Sequence, residues 1–510
     1  MAKVVLIRPQ SNTDTFNSSI PRIPLALLYI GSVLKQHGHE VKIIDTNVAL
    51  YSKVAILGEL GSNLDLVGIT ALTSEVESGL GISQFIKDRI DVPIVWGGIH
   101  PSLYPEMTCA DPMIDYVVFG DGEYAMLELV EALEAHKPVD DIKGLVYKNK
   151  NVVKKNQSRE YVNLDGLPAI DYGLIKMDRY FKGDTWHKAI DVQTSRGCIY
   201  HCKYCVNEAL GNHEVRTLSA LKVVDSCELL VKNYGINFVT FNDDNFFFNI
   251  KRAREICREI IRRGLNIKWF AEVRADYFRD GFVDNEFLVL AQESGLINLT
   301  IGAESGVPEV LKIMDKGITV EDVETSARML AQTGIATAYS FIIGLPNESK
   351  ADIMETLKFM EHLDEIYPRG TYSVTTLRAY PGSELTDGFF KAGLIREPKT
   401  LREFADHEIN KVYTESPSRP VWHSDPDFAY AVARYSSIAY SPFIKATLRA
   451  NLKHSSILLL PETILQKIAR FRLQHQFFWF PVDIHISKLL RRLYYSKLAR
   501  SIVRWKKNAG

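Results

Sequence analysis

Three cysteines lie close together near the middle of the chain, directly after an apolar segment that is typical of a β-strand. Cys198, Cys202 and Cys205 follow residues 189–193 with the spacing C-x3-C-x2-C. A loop with this spacing can turn three thiolates toward one centre. Three thiolates leave one position of a four-coordinate site free for another ligand. The sequence therefore predicts a metal centre with an open position.

Two kinds of centre are compatible with these cysteines. A structural zinc site usually draws on a second Cys or His pair, and His201 and His213 can supply one. The remaining cysteines, Cys109, Cys227 and Cys257, are scattered without such a spacing. The pattern favours an iron-sulfur cluster with one open iron and leaves zinc as the alternative.

The cysteine spacing, with the aromatic Tyr204 before the last cysteine, resembles the radical SAM superfamily. The resemblance implies a [4Fe-4S] cluster held by Cys198, Cys202 and Cys205, whose open iron chelates S-adenosylmethionine (SAM). It also implies reductive cleavage of SAM to a 5′-deoxyadenosyl radical, with electrons from a donor such as flavodoxin or ferredoxin.

Length and composition indicate an ordinary globular protein. The 510 residues suffice for two or three domains, and 46% hydrophobic with 24% charged residues is typical of globular chains. The N-terminus runs straight into a strand-like segment without the pattern of an export signal. The six cysteines do not suggest a disulfide framework. We therefore expect a cytoplasmic location.

The first 140 residues alternate β-rich and helix-like segments. The strand candidates are 4–7, 41–44, 66–69, 94–96 and 116–119, and helical patterns span 25–37, 75–89 and 123–136. Alternation at this pitch predicts an α/β fold with a doubly wound, Rossmann-like parallel sheet, which binds ligands outside the carboxyl ends of its strands.

The small and polar residues at those strand ends resemble the cobalamin-binding domain that is fused to many radical SAM enzymes. The resemblance rests on the segments 24–31, 38–41, 97–101 and 120–123. It implies that cobalamin contacts Thr73, Ser74, Gly97, Gly98, His100, Gly122 and Glu123. Taken singly, each segment favours an ordinary strand-to-helix turn, and only the combination points to cobalamin.

One motif of other cobalamin proteins is missing. In mutases and methionine synthase the histidine of D-x-H-x-x-G binds cobalt from below, but here Asp45 is followed by Thr46 and Asn47. The resemblance therefore implies cobalamin without a histidine on its lower face and argues against a mutase.

A second series of strands and helices follows the cysteines. Six strand candidates, 189–193, 238–241, 267–271, 297–301, 336–343 and 372–377, predict a partial (β/α)6 barrel of the TIM type, with its polar strand ends on one rim. We expect four regions: a cobalamin-binding domain at 1–140, a linker at 141–185, the barrel at 186–395, and a mainly α-helical, basic region at 396–510.

The rim offers groups that suit the carboxylate, ammonium, ribose and adenine of SAM. The candidates are Asp243, Asp244, Arg274, Glu304, Gly344 and Pro381. The superfamily usually has a Gly-Gly-Glu run where Asp243 and Asp244 stand, and either aspartate is also compatible with a helix N-cap. Arg274 is equally compatible with an ion pair to Glu272 or Asp276.

The C-terminal region is basic and helix-rich. From residue 441 onward it carries 14 Lys and Arg against Glu462 and Asp483, and an aromatic cluster stands at 477–480. Such helices can lie on an anionic membrane surface. A helical cap on the barrel is the favoured alternative, and no nucleic-acid-binding module is recognisable.

The resemblance covers roughly residues 1–390 and implies a cobalamin-dependent radical SAM enzyme. We expect methylation of an unactivated carbon or phosphorus centre in a small molecule, such as a lipid or a tetrapyrrole. The alternatives are a non-methylating enzyme that resembles the anaerobic magnesium-protoporphyrin cyclase, and a non-catalytic iron-sulfur or zinc module.

Overall fold

Two sheets form the body of the protein. A computed structural model describes residues 1–11, 22–48, 53–61, 63–150, 152–181, 188–211, 213–414, 417–440, 456–478, 483 and 486. The α/β class with two consecutive strand-helix series is confirmed.

The first sheet has seven strands in the order β2-β1-β3-β4-β5-β6-β7. They are β1 Lys3–Arg8, β2 Glu40–Asp45, β3 Leu66–Thr70, β4 Ile94–Gly97, β5 Tyr116–Val118, β6 Leu145–Asn149 and β7 Val152–Lys155. The strands β1 to β5 run parallel. Four consecutive residues of β1 are buried, as expected for a strand covered on both faces by helices.

Helices on both sides of this sheet connect its strands. They are α1 Leu25–Gln36, α2 Lys53–Leu60, α3 Val76–Lys87, α4 Ile99–Leu103, α5 Pro105–Ala110 and α6 Glu123–Glu134. The short α4 and α5 replace a single helix between β4 and β5. Helix α4 starts directly after Gly97 and Gly98, so the chain turns sharply at the end of β4.

The segment 141–185, expected as a linker, contributes two strands to the first sheet. Strand β6 pairs antiparallel with β5, and β7 pairs antiparallel with β6. In β7, Val152, Lys154 and Lys155 are exposed, which is typical of a strand at a sheet edge. The first sheet therefore extends to Lys155.

The second sheet has six parallel strands in the order β15-β14-β13-β12-β11-β8. They are β8 Ala189–Val192, β11 Phe238–Phe241, β12 Lys268–Val273, β13 Leu296–Glu304, β14 Ala336–Ile343 and β15 Thr371–Thr376. Between β8 and β11, the short strands β9 Ser195–Arg196 and β10 Arg216–Thr217 form an antiparallel ribbon. Each strand of this parallel series lies beside the next one along the chain, which is the topology of the predicted partial barrel.

Helices follow these strands and continue into the C-terminal region. They are α7 Asn207–Gly211, α8 Ala220–Tyr234, α9 Ile250–Arg262, α10 Asn285–Glu293, α11 Pro308–Met314, α12 Val320–Ala331, α13 Lys350–Ile366, α14 Glu384–Lys391, α15 Leu401–Phe404, α16 His407–Thr414, α17 Pro426–Ala439 and α18 Ser456–Gln474. Helix α17 packs on β15 and on α18.

In the described part of the C-terminal region, α17 covers the barrel, whereas α15 contacts α3 of the first domain. Phe478 of the predicted aromatic cluster contacts Phe428 and Tyr435 of α17, with ring centroids 5.8 and 5.5 Å apart. Much of the basic region, residues 441–455 and 487–510, lies outside the described residues. None of the helices that are described has the length and apolar character to span a bilayer.

Candidate active site

The cysteine loop is fixed at its centre by backbone hydrogen bonds to distant segments. The N–H of Lys203 donates to the carbonyl of Met314 (3.0 Å), and the carbonyl of Lys203 accepts from the N–H of Leu385 (2.9 Å). Within the loop, the N–H of Cys205 donates to the carbonyl of Cys202 (2.9 Å). The barrel therefore imposes the turn that holds the second and third cysteines.

Gly197 allows the loop to start where it does. It has a φ of +88°, and a Cβ at this position would lie 2.1 Å from the carbonyl oxygen of Glu214. Only glycine tolerates both the positive φ and this approach. The cysteine loop thus begins in direct backbone contact with the segment that leads into β10.

The three cysteine side chains are half-buried and form no disulfide. Burial raises the pKa of the Cys198 thiol, and it raises that of Cys205 to about 11. Three cysteines in one loop offer soft sulfur donors, which hold iron-sulfur clusters as thiolates. The donor set therefore suits an iron-sulfur cluster.

The structure separates the cysteines from the two histidines of the zinc alternative. Among the described residues, one group of three His, Cys, Asp or Glu side chains has its ligand atoms within 4.8 Å of one another, namely His201, Glu208 and His213. The cysteine sulfurs do not form such a group. Thiolates around one zinc ion lie roughly 3.8 Å apart, given Zn–S bonds of about 2.3 Å. The wider cysteine spacing suits a multinuclear cluster.

The aspartates after β11 have different surroundings. The carboxylate of Asp243 is buried and accepts from Thr194 N (2.6 Å), Thr194 Oγ1 and Ser195 N (3.0 Å). Asp244 is exposed, and its Oδ2 accepts from Gly197 N (3.2 Å). Asp243 thus fixes the residues that lead into the cysteine loop, whereas Asp244 has acceptor capacity left for a ligand.

Arg274 lies against the cysteine loop and pairs with its own strand end. Its Nε donates to Asp276 Oδ1 (2.9 Å), and its guanidinium lies 3.4 Å from the ring centroid of Tyr200. Its Nη1 lies 3.9 Å from the sulfur of Cys202. The ion pair with Asp276 is the alternative to SAM binding that the sequence also allowed for Arg274. The contact with the sulfur places the Arg274 cation next to Cys202, a predicted cluster ligand.

Glu304 ends β13 at a bulge with a φ of +60°. Its buried carboxylate accepts from Lys316 Nζ and from the hydroxyl of Tyr204 (3.0 Å). The predicted ribose contact is therefore already engaged with a lysine and with the aromatic of the cysteine loop.

The remaining two rim candidates lie beneath other segments. A Cβ on Gly344 would lie 2.7 Å from Pro420, and the carbonyl of Gly344 accepts from Trp422 Nε1 (2.8 Å). Pro381 is buried. The next residue, Gly382, approaches Leu103 of α4 and so brings the two domains together.

A cavity of about 470 Å³ lies between the carboxyl ends of the two sheets. Residues from both domains line it. From the first sheet come Gly68, Thr70, Gly97, Gly98, Gly120, Asp121, Gly122 and Glu123, and from the barrel come Gln193, Arg196, Gly197, Asn207, Arg216, Asn242, Asp243, Asp244 and Glu272. The start of the cysteine loop therefore faces the glycine-rich strand ends.

Four of the seven predicted cobalamin contacts line this cavity, and Thr73, Ser74 and His100 do not. His100 is fully buried against Tyr104 and Phe404. Its Nδ1 lies 3.1 Å from Thr73 Oγ1, and burial lowers its pKa to about 3, so the imidazole is neutral. The roles of these three residues stay predictions that the cavity does not support.

A cluster of ion pairs crosses the domain boundary at the edge of the cavity. Arg196 donates to Asp121 (3.2 Å) and to Glu123 (2.6 Å), and Arg216 donates to Asp121. The four side chains are at most 14% exposed. We call these four residues the boundary cluster. Glu123 therefore lines the cavity and also forms an ion pair with Arg196 of the barrel.

Several cavity residues were not predicted. Arg196 stands two positions before Cys198, and Arg216 lies in the ribbon strand β10 that follows α7. Glu272 was predicted only as a partner of Arg274, yet it lines the cavity. Its position at the end of β12 was the available signal.

Comparisons with known proteins agree with this arrangement. Residues 21–130 match the B12 binding domain family, and residues 192–360 match the Radical SAM superfamily. An uncharacterised methyltransferase of Pyrococcus horikoshii is 33% identical over 434 residues, which cover 80% of this chain and 90% of the relative. The chain belongs to the B12-binding radical SAM enzymes.

Two further similarities support this family. The anaerobic magnesium-protoporphyrin IX monomethyl ester cyclase of Rubrivivax gelatinosus is 28% identical over 365 residues, which cover 70% of this chain and 65% of the cyclase. The structure of the cobalamin-dependent SAM radical enzyme OxsB with aqua-cobalamin superposes with a TM-score of 0.74 at 19% identity, covering 96% of this chain and 75% of OxsB. The latter shows a shared fold.

The cofactors of this B12-binding radical SAM enzyme are a [4Fe-4S] cluster, SAM and cobalamin, and the site fits them. A Cβ on Gly98 would lie 2.7 Å from Thr70 Oγ1, so the corner after β4 stays open only with glycine. Among the described residues that line the cavity there is no histidine.

Proposed function

We propose that the enzyme transfers a methyl group to an unactivated carbon or phosphorus centre of a small molecule bound between the two sheets. The observation that carries this proposal is the shared cavity, which the glycine-rich strand ends and the start of the cysteine loop line together. When bound, the cluster with SAM supplies radical hydrogen abstraction, and cobalamin supplies a transferable methyl group. Such a transfer requires both cofactors to face one substrate.

The residues have separate roles in this proposal. Asp244 accepts a hydrogen bond from the ammonium of SAM, because its carboxylate is exposed toward the cavity. Asp243 positions Thr194 and Ser195. Gly97, Gly98 and Gly122 leave room for the corrin ring, and the boundary cluster fixes the distance between the two cofactor sites.

The test is a methyl-transfer assay with the anaerobically reconstituted enzyme. SAM with a deuterated methyl group, a flavodoxin reducing system and a small-molecule extract are incubated together and analysed by mass spectrometry. We expect 5′-deoxyadenosine and S-adenosylhomocysteine together with one product that carries the deuterated methyl group. Formation of 5′-deoxyadenosine with no labelled product would overturn methyl transfer.

Radical cyclisation is the second candidate function. The similarity to the magnesium-protoporphyrin cyclase supports it, since that relative covers 70% of this chain. A cyclase consumes SAM and alters the substrate without adding the labelled methyl group. The same assay distinguishes the two functions, because the product mass then changes by loss of hydrogen or gain of oxygen.

We propose a hydrophobic substrate, such as a lipid or a tetrapyrrole, and a peripheral membrane contact. The support is the basic C-terminal sequence, with 14 Lys and Arg from residue 441 onward. Co-sedimentation of the full chain with anionic vesicles, compared with a chain that ends at residue 440, measures this contact. Equal sedimentation of both would contradict it.

A further inference from the structure

A second group of metal-binding side chains lies beside the cysteine loop and has no role in the proposed reaction. His201 stands between Cys198 and Cys202, Glu208 lies on α7, and His213 follows α7. One ligand atom from each lies within 4.8 Å of the other two. Three separate segments thus bring two imidazoles and one carboxylate to a single point.

Buried atoms of this group lack the partners that buried polar atoms normally have. Glu208 Oε2 and His213 Nδ1 are shielded from solvent, and neither has a hydrogen-bond partner. Within the group, His213 Nε2 lies 3.9 Å from Glu208 Oε1, which is too far for a hydrogen bond. An unsatisfied buried polar atom destabilises a fold, and a bound ion is one of its ordinary explanations.

The two imidazoles of the group lie close together. The ring centroids of His201 and His213 are 3.7 Å apart, with an interplanar angle of 33°. Imidazole nitrogens and a carboxylate oxygen are donor atoms that a divalent cation such as zinc accepts. The group therefore has the donor set of a metal site.

We propose that His201, Glu208 and His213 bind a Zn²⁺ ion that is separate from the iron-sulfur cluster. Two histidines and one glutamate are an established zinc ligand set and leave one position for water. Donor atoms around tetrahedral zinc lie roughly 3.3 Å apart, given Zn–N bonds of about 2.0–2.1 Å. The exposed His201 side chain can rotate to make this contraction.

The ion would brace the cysteine loop from outside. Helix α7 spans only Asn207–Gly211, and a helix of this length is not stable by itself. The N–H of Asn207 donates to the sulfur of Cys205 (3.5 Å). A zinc ion that joins His201 to Glu208 and His213 thus ties the loop to the helix that touches the third cluster ligand.

Metal analysis of the full-length protein, reconstituted with its cluster and supplied with Zn²⁺, tests this proposal. After removal of loosely bound ions, we expect about one zinc per chain in addition to the cluster iron. X-ray absorption at the zinc edge should give nitrogen and oxygen neighbours at about 2.0–2.1 Å and no sulfur. The edge is specific for zinc, so the iron of the cluster does not interfere.

Two variants and one control complete the test. His213→Ala and Glu208→Gln should each lower bound zinc at least tenfold, while His136→Ala, which changes an exposed histidine of the other domain, should not. Glu208→Gln keeps the side-chain size and decides the matter if His213→Ala does not fold. Zinc-free wild-type protein, unchanged zinc in Glu208→Gln, or sulfur neighbours near 2.3 Å would each overturn the proposal.

Discussion

Two acidic turns face the same cavity, one from each sheet, and their carboxylates have opposite uses. In the turn after β5, Asp121 and Glu123 both bind arginines of the barrel. In the turn after β11, Asp243 binds backbone donors of its own domain, and Asp244 is exposed toward the cavity. An acidic residue at a strand end therefore becomes a ligand candidate only after its protein partners are known.

The largest expected effect comes from a variant that removes the cofactor of the barrel and leaves the cofactor of the first domain in place. Cys202→Ala should lower SAM cleavage by at least about 10³-fold, because two thiolates do not hold the cluster, while corrinoid binding by the first domain persists. Iron content, corrinoid absorption and 5′-deoxyadenosine yield measure this. Cys227→Ala, which changes a fully buried thiol, is the matched control and should keep its iron. Loss of both the iron and the corrinoid in Cys202→Ala would show that the two domains do not bind their cofactors independently.

The next prediction tests the boundary cluster. Arg196→Gln leaves Glu123 buried without its cation and should lower the free energy of unfolding by about 3–5 kcal/mol. Arg196→Lys keeps the charge and should retain part of the stability. Thermal unfolding and the ratio of methylated product to 5′-deoxyadenosine measure stability and coupling. Arg328→Gln, in an exposed helical pair with Glu324, should change stability by less than about 1 kcal/mol.

A third turn, after β14, adds to the comparison a buried carboxylate that accepts hydrogen bonds from backbone N–H groups. Glu348 accepts from the N–H groups of Gly344 and Leu345, and burial raises its pKa to about 7. Between its unfolded pKa and pH 7 the folded state binds more protons, so stability is highest below that window and falls as pH rises through it. The total loss is at most about 3 kcal/mol.

Glu348→Gln should remove this part of the pH dependence, because an amide does not titrate. Denaturant unfolding at pH values from about 5 to about 8 measures it. Glu355→Gln, in an exposed pair with Lys358, is the control and should leave the wild-type slope. A slope that persists in Glu348→Gln would assign it to another group.

The smallest expected effects concern the turn after β11, which carries Asp243 and Asp244. Asp243→Asn replaces one acceptor oxygen by a donor amide opposite Thr194 and Ser195, so it should lower stability by about 1–3 kcal/mol. Asp244→Asn should leave stability unchanged and weaken SAM binding about tenfold, which is about 1.4 kcal/mol. Calorimetric SAM titration beside thermal unfolding separates the two. Equal stability losses would mean that both aspartates are structural.

Most of the fold could be predicted from the sequence, because its strands are short apolar runs between helical patterns. Strands β6 and β7 were missed, since their lysines and turn residues resemble a linker and their pairing with β5 depends on tertiary contact. Strand β13 also runs three residues past the predicted end. The bulge that places Glu304 there was not visible in the periodicity.

The site was only partly predictable, for a physical reason. The cysteine spacing is local, so it could be read directly from the chain. The partners of Glu123 and Glu304 come from residues 73 and 12 positions away, and no pattern marks them. His100 was predicted from its glycine-rich neighbours, yet its ring is buried in an aromatic layer that Phe404 completes from the C-terminal region.

The boundary cluster has a consequence for how such enzymes can be recombined. Arg196 lies two positions before Cys198, so the residue that docks the first domain belongs to the predicted cluster-binding segment. Exchanging the first domain for that of another family member would preserve function only if the new domain brings an equivalent acidic pair. The two domains are thus matched parts, and chimeras should be chosen by the acidic residues after β5 before overall similarity is considered.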